Sequence, residues 1–234
     1  MNKIYITSVS TISPQAPLTE EVLRRYVKPL EARRMSAGLK RALTTALTAL
    51  QEAGLERPDA IIGGTGQGQE SDTMALLEAL RIEGESASQP THFMQSTHNT
   101  VCSQIAIRTK CHGYNCTYSH GGVSFEEALF DAMLQLRAGE AESVLVTAND
   151  EGDDYASVAM VLQTSPTVEP VCILEDVRLM HKQAGAEAVE DKGFSASALE
   201  IAEAAMRLGK EKRGGIELTN NFGSDSAITL LRTC

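Results

Sequence analysis

Residues 113–150 constrain the fold more than any other stretch. "GYNCTYS" is short, β-branched or aromatic, and follows a glycine, so it predicts a strand. "VSFEEALFDAMLQLRAGEAE" has apolar residues at helical spacing, acids in the first turn and a glycine near its end, so it predicts an amphipathic helix. "ESVLVTAND" predicts a second, more apolar strand. Strand, helix and strand in 38 residues form a βαβ unit, and such a unit requires a parallel pair with a helix crossing one face.

The rest of the chain alternates in the same way. Strands are expected at "KIYITS" (3–8), "PDAIIGG" (58–64), "YASVAMVLQT", "EPVCILEDVRLM", "GIELTNN" and "SAITLLRT". Helices are expected at "TEEVLRRYV" with Thr19 as cap, "SAGLKRALTTALTALQEAG" (36–54), "ESDTMALLEALRIEG" and "SASALEIAEAAMRLGKEKRGG", the last with a serine cap. Within "SQPTHFMQSTHNTVCSQIAIRTKCHG", Ser96 or Thr97 is the expected cap of a helix running to about Lys110. An irregular region is expected after "DVRLM". The order is β-α-α-β-α-α-β-α-β-β followed by β-α-β-β. This implies an α/β fold with a mostly parallel sheet covered on both faces and no linker between independent domains.

Charge and cysteine usage exclude several functions. The 234 residues carry a formal charge of -10, which argues against nucleic acid as a partner. Basic residues nevertheless cluster: Arg24, Arg25, Lys28, Arg33, Arg34, Lys40 and Arg41 supply 7 of the 21. The cluster is either a solvated helix face or a landing site for an acidic partner. The cysteines at 102, 111, 116, 172 and 234 have no CxxC spacing, and their odd number fits no disulfide framework. The start "MNKIYITSVSTISPQ" has no signal-peptide core, and no apolar run is long enough to span a membrane. A cytoplasmic protein with reduced thiols is expected.

Three stretches invite a chemical reading. "GGTGQGQESDT" (63–73) has the glycines of a phosphate cradle but neither GxGxxG nor GxxxxGK[ST] spacing. His92, His98, His112 and His120 share a region but no ligand spacing, so neither a metal nor a cofactor is expected. Cys116 lies where a strand runs into a helix, a position that favours a thiolate, or else it is a small core residue.

Taken together, the motifs resemble the β-ketoacyl-acyl-carrier-protein synthases of the thiolase superfamily. "KIYITSVSTISP" is similar to their opening strand and turn, and "EARRMSAGLKRALTTALTALQEAG" to their arginine-containing segment and first long helix. "PDAIIGGTGQG" is similar to their next strand and glycine turn. "FMQSTHNTVCSQIAI" is similar to the helix after their Pro-Asn pair. "YNCTYSHGGVSFEEALFDAMLQLRAGEAESVLVTANDE" resembles the nucleophile strand, nucleophile helix and following strand, and "LTNNFGSDSAITLL" the Asn-x-Phe-Gly turn and last strand. The resemblance implies a thiolase-like layered fold with a mostly parallel five-stranded sheet flanked by helices. It divides a single domain into an N-terminal half, residues 1–165, and a shortened remnant of the C-terminal half, residues 166–234.

Departures from the family shape the functional expectation. The His-Gly-Thr-Gly-Thr loop and the second catalytic histidine are absent, and the only histidine after residue 120 is His181. Ungapped alignment from Ala128 puts Tyr118 at the nucleophile position, and Cys116 reaches it only with a two-residue insertion. The chain resembles most the short ketosynthase-like, chain-length-factor-type subunits of aryl-polyene and flexirubin-type pathways, with "STHNTVCSQIA" (96–106) especially similar. That implies a subunit of fatty-acid or polyketide-type chain extension. Such a subunit would be non-catalytic and paired with a complete ketosynthase, or with itself, with acyl carrier protein as a further partner. Thr97, His98, Asn99, Tyr114, Cys116 and Tyr118 would form the partner or dimer face; Arg33, Arg34, Lys40 and Arg41 would meet the carrier. The alternatives are an active acyltransferase using Cys116, Tyr118, His98 or His120, with His112 also in range, and a binding or scaffold homodimer that reuses the fold.

Overall fold

The computed structural model describes residues 3–84, 90–181 and 196–234. Eight strands form one sheet in the order β3-β2-β4-β5-β1-β6-β8-β7. They are β1 (Ile4–Ile12), β2 (Ala60–Gly64), β3 (Asn115–Tyr118), β4 (Ser143–Asp150), β5 (Ala156–Gln163), β6 (Cys172–His181), β7 (Gly215–Phe222) and β8 (Asp225–Arg232). The helices are α1 (Glu20–Tyr26), α2 (Pro29–Ala32), α3 (Ala37–Glu52), α4 (Glu70–Glu83), α5 (Pro90–Gln95), α6 (Thr100–Thr109), α7 (Ser124–Ala138) and α8 (Ala196–Glu211).

The β-α order expected from sequence holds throughout. The structure adds the short helices α2 and α5 and a 3-10 turn at Gly121–Val123. β2 pairs in parallel with both β3 and β4, as the βαβ unit requires. β5 returns from β4 by a hairpin and is antiparallel to both β4 and β1. β1 therefore runs with β2, β3 and β4, so four of the first five strands share a direction. The expected mostly parallel five-stranded sheet is corrected: only β2–β3 and β2–β4 pair in parallel, and the sheet is wider because β6 joins the far edge of β1 and carries β8 and β7 with it, all antiparallel.

Two apolar clusters explain the layering. On one face, Leu39, Leu43 and Leu50 of α3 and Val101 and Ile105 of α6 pack on Ile61, Leu145 and Val161. On the other, Phe125, Leu129, Met133 and Leu136 of α7 and Ile201, Ala205 and Leu208 of α8 pack on Ile62, Val146 and Met160. The same cluster takes in Leu174 and Val177 of β6 and Leu231 of β8. Because α7 touches β2 and β4 as well as β6 and β8, the sheet must wrap around α7 and α8. The outward residues Glu175, Arg178, Glu217 and Thr219 on that arm are exposed.

Local signals hold at most helix ends. Thr19 Oγ1 accepts from Val22 N at 3.3 Å, and Ser36 Oγ accepts from Leu39 N at 3.3 Å. The expected cap of α6 is corrected. The helix starts at Thr100 after Asn99, because Pro90–Gln95 is already helical and Ser96–Asn99 form the turn between two helices. Thr97 Oγ1 bonds to Asn99 Oδ1 and to Thr100 Oγ1, and Thr100 Oγ1 donates to Met94 O, so the polar side chains stitch the turn rather than cap the helix. The expected serine cap of α8 and the irregular region after "DVRLM" lie outside the described residues.

Candidate functional site

The carboxyl ends of β2, β3 and β4 converge where α6 and α7 begin, and ligands of open α/β sheets bind at such an end. β3 ends at Tyr118, whose carbonyl accepts from Thr65 N at 3.0 Å. The chain turns through Ser119 and His120, makes the 3-10 turn and enters α7. Two glycines are required for this approach. A Cβ on Gly64 would lie 2.6 Å from Ser124 O, so the end of β2 touches the start of α7 only because the side chain is absent. Gly121 has φ +52, and a Cβ there would fall 2.2 Å from the Phe222 ring.

β3 presents two chemically different faces. Tyr114, Cys116 and Tyr118 alternate onto the side of α7. The hydroxyls of Tyr114 and Tyr118 both donate to Asp131 Oδ2, at 3.0 and 3.1 Å, and the Cys116 thiol lies within their hydrogen-bonding reach. Burial and the Asp131 carboxylate push the Tyr118 phenol up to about 12, and burial raises Tyr114 as well. Both phenols are therefore fixed donors at neutral pH. Asn115 and Thr117 face α6: Asn115 Nδ2 donates to Cys102 O, and the Thr117 hydroxyl meets the Cys102 sulfur. Burial pushes the Cys102 thiol up to about 11, so it stays protonated.

The histidines are not gathered around Cys116. His98 lies against Gly68 and borders a small cavity on the α6 side, together with Gln69, Cys102, Thr117 and Asn149. His120 is held between Glu127 Oε1 at 2.7 Å and Asp225 Oδ2 at 3.2 Å, and Asp225 also holds His181 at 2.6 Å. The Glu127 hydrogen bond raises the His120 pKa, and the His181 hydrogen bond lowers that of Asp225. His112 is exposed on the turn before β3. The Cys116 thiol thus lies beside two phenols that are tied to Asp131, while His120, two residues past the end of β3, is bound to Glu127 of α7 and to Asp225.

The small cavity is polar. Thr147 Oγ1 donates to Val158 O and must therefore accept from Asn149 Nδ2, which fixes the amide and leaves Asn149 Oδ1 buried without a partner. Gln69 Oε1, also buried, is unpartnered too. The enclosed space is about 10 Å³, the size of one water, and offers two acceptors to a hydrogen-bond donor.

Glu126 escaped the reading from sequence. It was one of two acids in a helix's first turn, yet it is 1% exposed. Its Oε2 accepts from Ser197 Oγ at 3.2 Å, its Oε1 has no partner, and burial pushes its pKa up to about 7. The glycine stretch 63–73 is no phosphate cradle. Its donors are taken internally, since Asp150 Oδ1 accepts from Thr65 Oγ1 and Gly66 N, and Glu151 Oε2 accepts from Ser71 N at 2.7 Å. Among the described residues, no cluster of three or more His, Cys, Asp or Glu side chains is placed to hold a metal, and no helix is long and apolar enough to cross a membrane.

The expected partner face and basic cluster are both divided by the fold. Thr97, His98 and Asn99 stand exposed on the α6 side of β3, while Tyr114, Cys116 and Tyr118 lie on its α7 side. The outer edge of β3 between them has no neighbouring strand among the described residues. Exposed Ile107 (69%) lies on α6, which packs against β3, and exposed Phe93 (62%) and Met94 (67%) lie on α5, which packs on α4. In the basic cluster, Arg24 and Arg25 pair with Glu20 and Glu21 within α1. Arg33 and Arg34 are exposed, but Lys40 and Arg41 line a recess.

Comparison with curated proteins gave no match. Solved structures share the fold at low identity. The ishigamide ketosynthase/chain length factor aligns with TM-score 0.80 and 13% identity over 99% of this chain and 99% of that one. The AntDE:AntF structure, a type II PKS acyl-carrier protein in complex with its ketosynthase, aligns with TM-score 0.82 and 12% identity over 100% and 99%. The ketosynthase ApeO with its chain length factor ApeC from Xenorhabdus doucetiae aligns with TM-score 0.69 and 19% identity over 98% and 99%. A family model for the β-ketoacyl synthase N-terminal domain matches residues 10–207, and the chain belongs to that family.

Proposed function

We propose that this chain is a non-catalytic ketosynthase-like subunit that pairs with a complete β-ketoacyl synthase in fatty-acid or polyketide-type chain extension of the aryl-polyene kind, in the cytoplasm. The observation that carries the reading is the end of β3. Tyr118 occupies the strand end and is tied to Asp131, Cys116 sits two residues earlier beside the Tyr114 and Tyr118 phenols, and His120 is committed to Glu127 and Asp225. The strand–turn–helix frame is present, and a His120 held by two carboxylates rather than by the thiol supports the non-catalytic reading.

The pairing half of the proposal rests on the open edge of β3 and the exposed apolar residues beside it. An unpaired edge strand, with exposed Tyr114 just before it and exposed Ile107 on the α6 that packs against it, is a surface that soluble chains normally cover. Relatives solved as a ketosynthase with its chain length factor support a ketosynthase as the occupant. Arg33 and Arg34 are the exposed residues left to meet an acidic carrier protein. The division into residues 1–165 and a shortened remnant at 166–234 is part of the same proposal.

Catalysis is tested by intact mass. The pure chain, incubated with a reactive acyl thioester or malonyl carrier protein, is expected to keep its unmodified mass. Rapid acylation that disappears in Cys116→Ser would establish the active-transferase reading instead.

A further inference from the structure

We propose that Glu127, His120, Asp225 and His181 form a proton-dependent clasp that holds the β7–β8 turn against the start of α7 and releases it when His120 becomes neutral. The clasp lies beside the β3–α7 elbow and depends on neither the pairing nor the non-catalytic reading.

Hydrogen-bond chemistry is the first argument. His120 presents Nδ1 to Glu127 Oε1 at 2.7 Å and Nε2 to Asp225 Oδ2 at 3.2 Å. Carboxylates only accept, and a neutral imidazole carries a single N–H, so both contacts are hydrogen bonds only in the imidazolium. Asp225 is held in place by its other oxygen, Oδ1, which accepts from His181 Nδ1 at 2.6 Å. The four side chains therefore alternate carboxylate and imidazole, and they tie together α7, the elbow, β8 and β6. His120 is half-exposed, so water reaches the ring and protons exchange freely.

The surroundings are the second argument. The Glu127 hydrogen bond raises the His120 pKa above its usual 6.5, and the His181 hydrogen bond lowers that of Asp225. Among the described residues, no lysine or arginine pairs with Glu127 or Asp225, so His120 is the group that joins the two. The other acids nearby are Glu126, buried against Ser197, and Glu200 of α8, whose charge acts on Glu126. β7 brings no charge to the ring: its Phe222 meets His120 edge-on, with centroids 6.4 Å apart.

The distances say which half opens. The contact to Glu127 is the shorter, so a neutral His120 keeps its proton on Nδ1 and turns a bare Nε2 toward Asp225 Oδ2. The tie to α7 survives and the tie to β8 is lost. Asn220 Nδ2 still donates to Gly122 O at 2.6 Å, which confines the release to the turn beyond it. At that turn Gly223 has φ +57 and no neighbour within 4 Å of a Cβ position, so nothing packs the tip in place of the clasp.

NMR of the full chain with labelled histidine ring nitrogens, joined to amide hydrogen exchange, tests the clasp. His120 should be doubly protonated at pH 6 and should titrate, with a midpoint above 6.5, to the neutral Nδ1–H form. Exchange at Phe222–Asp225, corrected for its intrinsic pH dependence, should rise about tenfold or more through the same midpoint, while Leu39–Leu50 of α3 stay protected. Asp225→Asn should lower the midpoint and remove the step in exchange, and Glu126→Gln should leave both as they are. If Asp225→Asn does not fold, Glu127→Gln decides the matter by lowering the same midpoint. A midpoint at or below 6.5, a neutral form protonated on Nε2, a turn whose exchange ignores the His120 titration, or a step that vanishes in Glu126→Gln would each overturn the proposal.

Discussion

Glu126 shows how one buried group sets a pH response. Its carboxyl is held near pKa 7 by burial, against about 4.5 when unfolded, so the folded state keeps a proton that the unfolded chain releases. Stability from this group is therefore full below about pH 4.5 and is lost as pH rises toward 7, at a cost of roughly 3 kcal/mol for a shift of this size. His120, raised by Glu127, acts in the same direction at higher pH: its contribution is present below its unfolded pKa of 6.5 and is lost as pH rises through its folded value. The melting temperature should fall between pH 5 and pH 8, and Glu126→Gln should flatten most of that fall. An identical pH profile in the variant would place the cause elsewhere. Neither residue's role was legible in the sequence. Glu126 reads as an ordinary first-turn acid until Ser197 and Asn220 close over it, and His120 meets Asp225 of β8 only across about a hundred residues of chain.

Elements were largely legible because periodicity is local. The stripe Leu39, Leu43, Ala46 and Leu50 predicts α3, and the same residues form its buried face. What periodicity does not carry is the partner of each strand. The antiparallel attachment of β6 to β1 depends on Leu174 and Ile173 lying opposite Ile4 and Tyr5, a contact separated by most of the chain. The turn 96–99 was misplaced for a related reason. Its Ser and Thr have cap chemistry, yet α5 uses the preceding residues and delays α6 to Thr100. Exposure also rests on long-range packing: α1 turns Lys40 and Arg41 into recess walls, while Arg33 and Arg34 stay in solvent. The apolar surface of α5 and α6 makes its own prediction. Met94→Asp and Ile107→Asp should each weaken pairing with a ketosynthase at least tenfold, about 1.4 kcal/mol, while changing the isolated chain's stability by about 0.5 kcal/mol or less. Equal loss of folding stability and of binding would show that these residues serve the core.

At the scale of the whole molecule, the chain has the fold of the β-ketoacyl synthase N-terminal domain family. α7 and α8 lie between the first five strands and the curled arm β6-β8-β7, and the β3–α7 elbow stands at the end of the parallel strands. That elbow packs Gly121 against Phe222 and ties His120 to Glu127 and Asp225. Among the described residues the outer edge of β3 has no neighbouring strand, and the proposed pairing would cover it. Co-expression with a full-length β-ketoacyl synthase, followed by the mass of the purified assembly in solution, tests this most directly. The account predicts a stable 1:1 complex that is lost in the Ile107→Asp variant. A chain that remains alone, or pairs only with itself in the presence of the synthase, would contradict it.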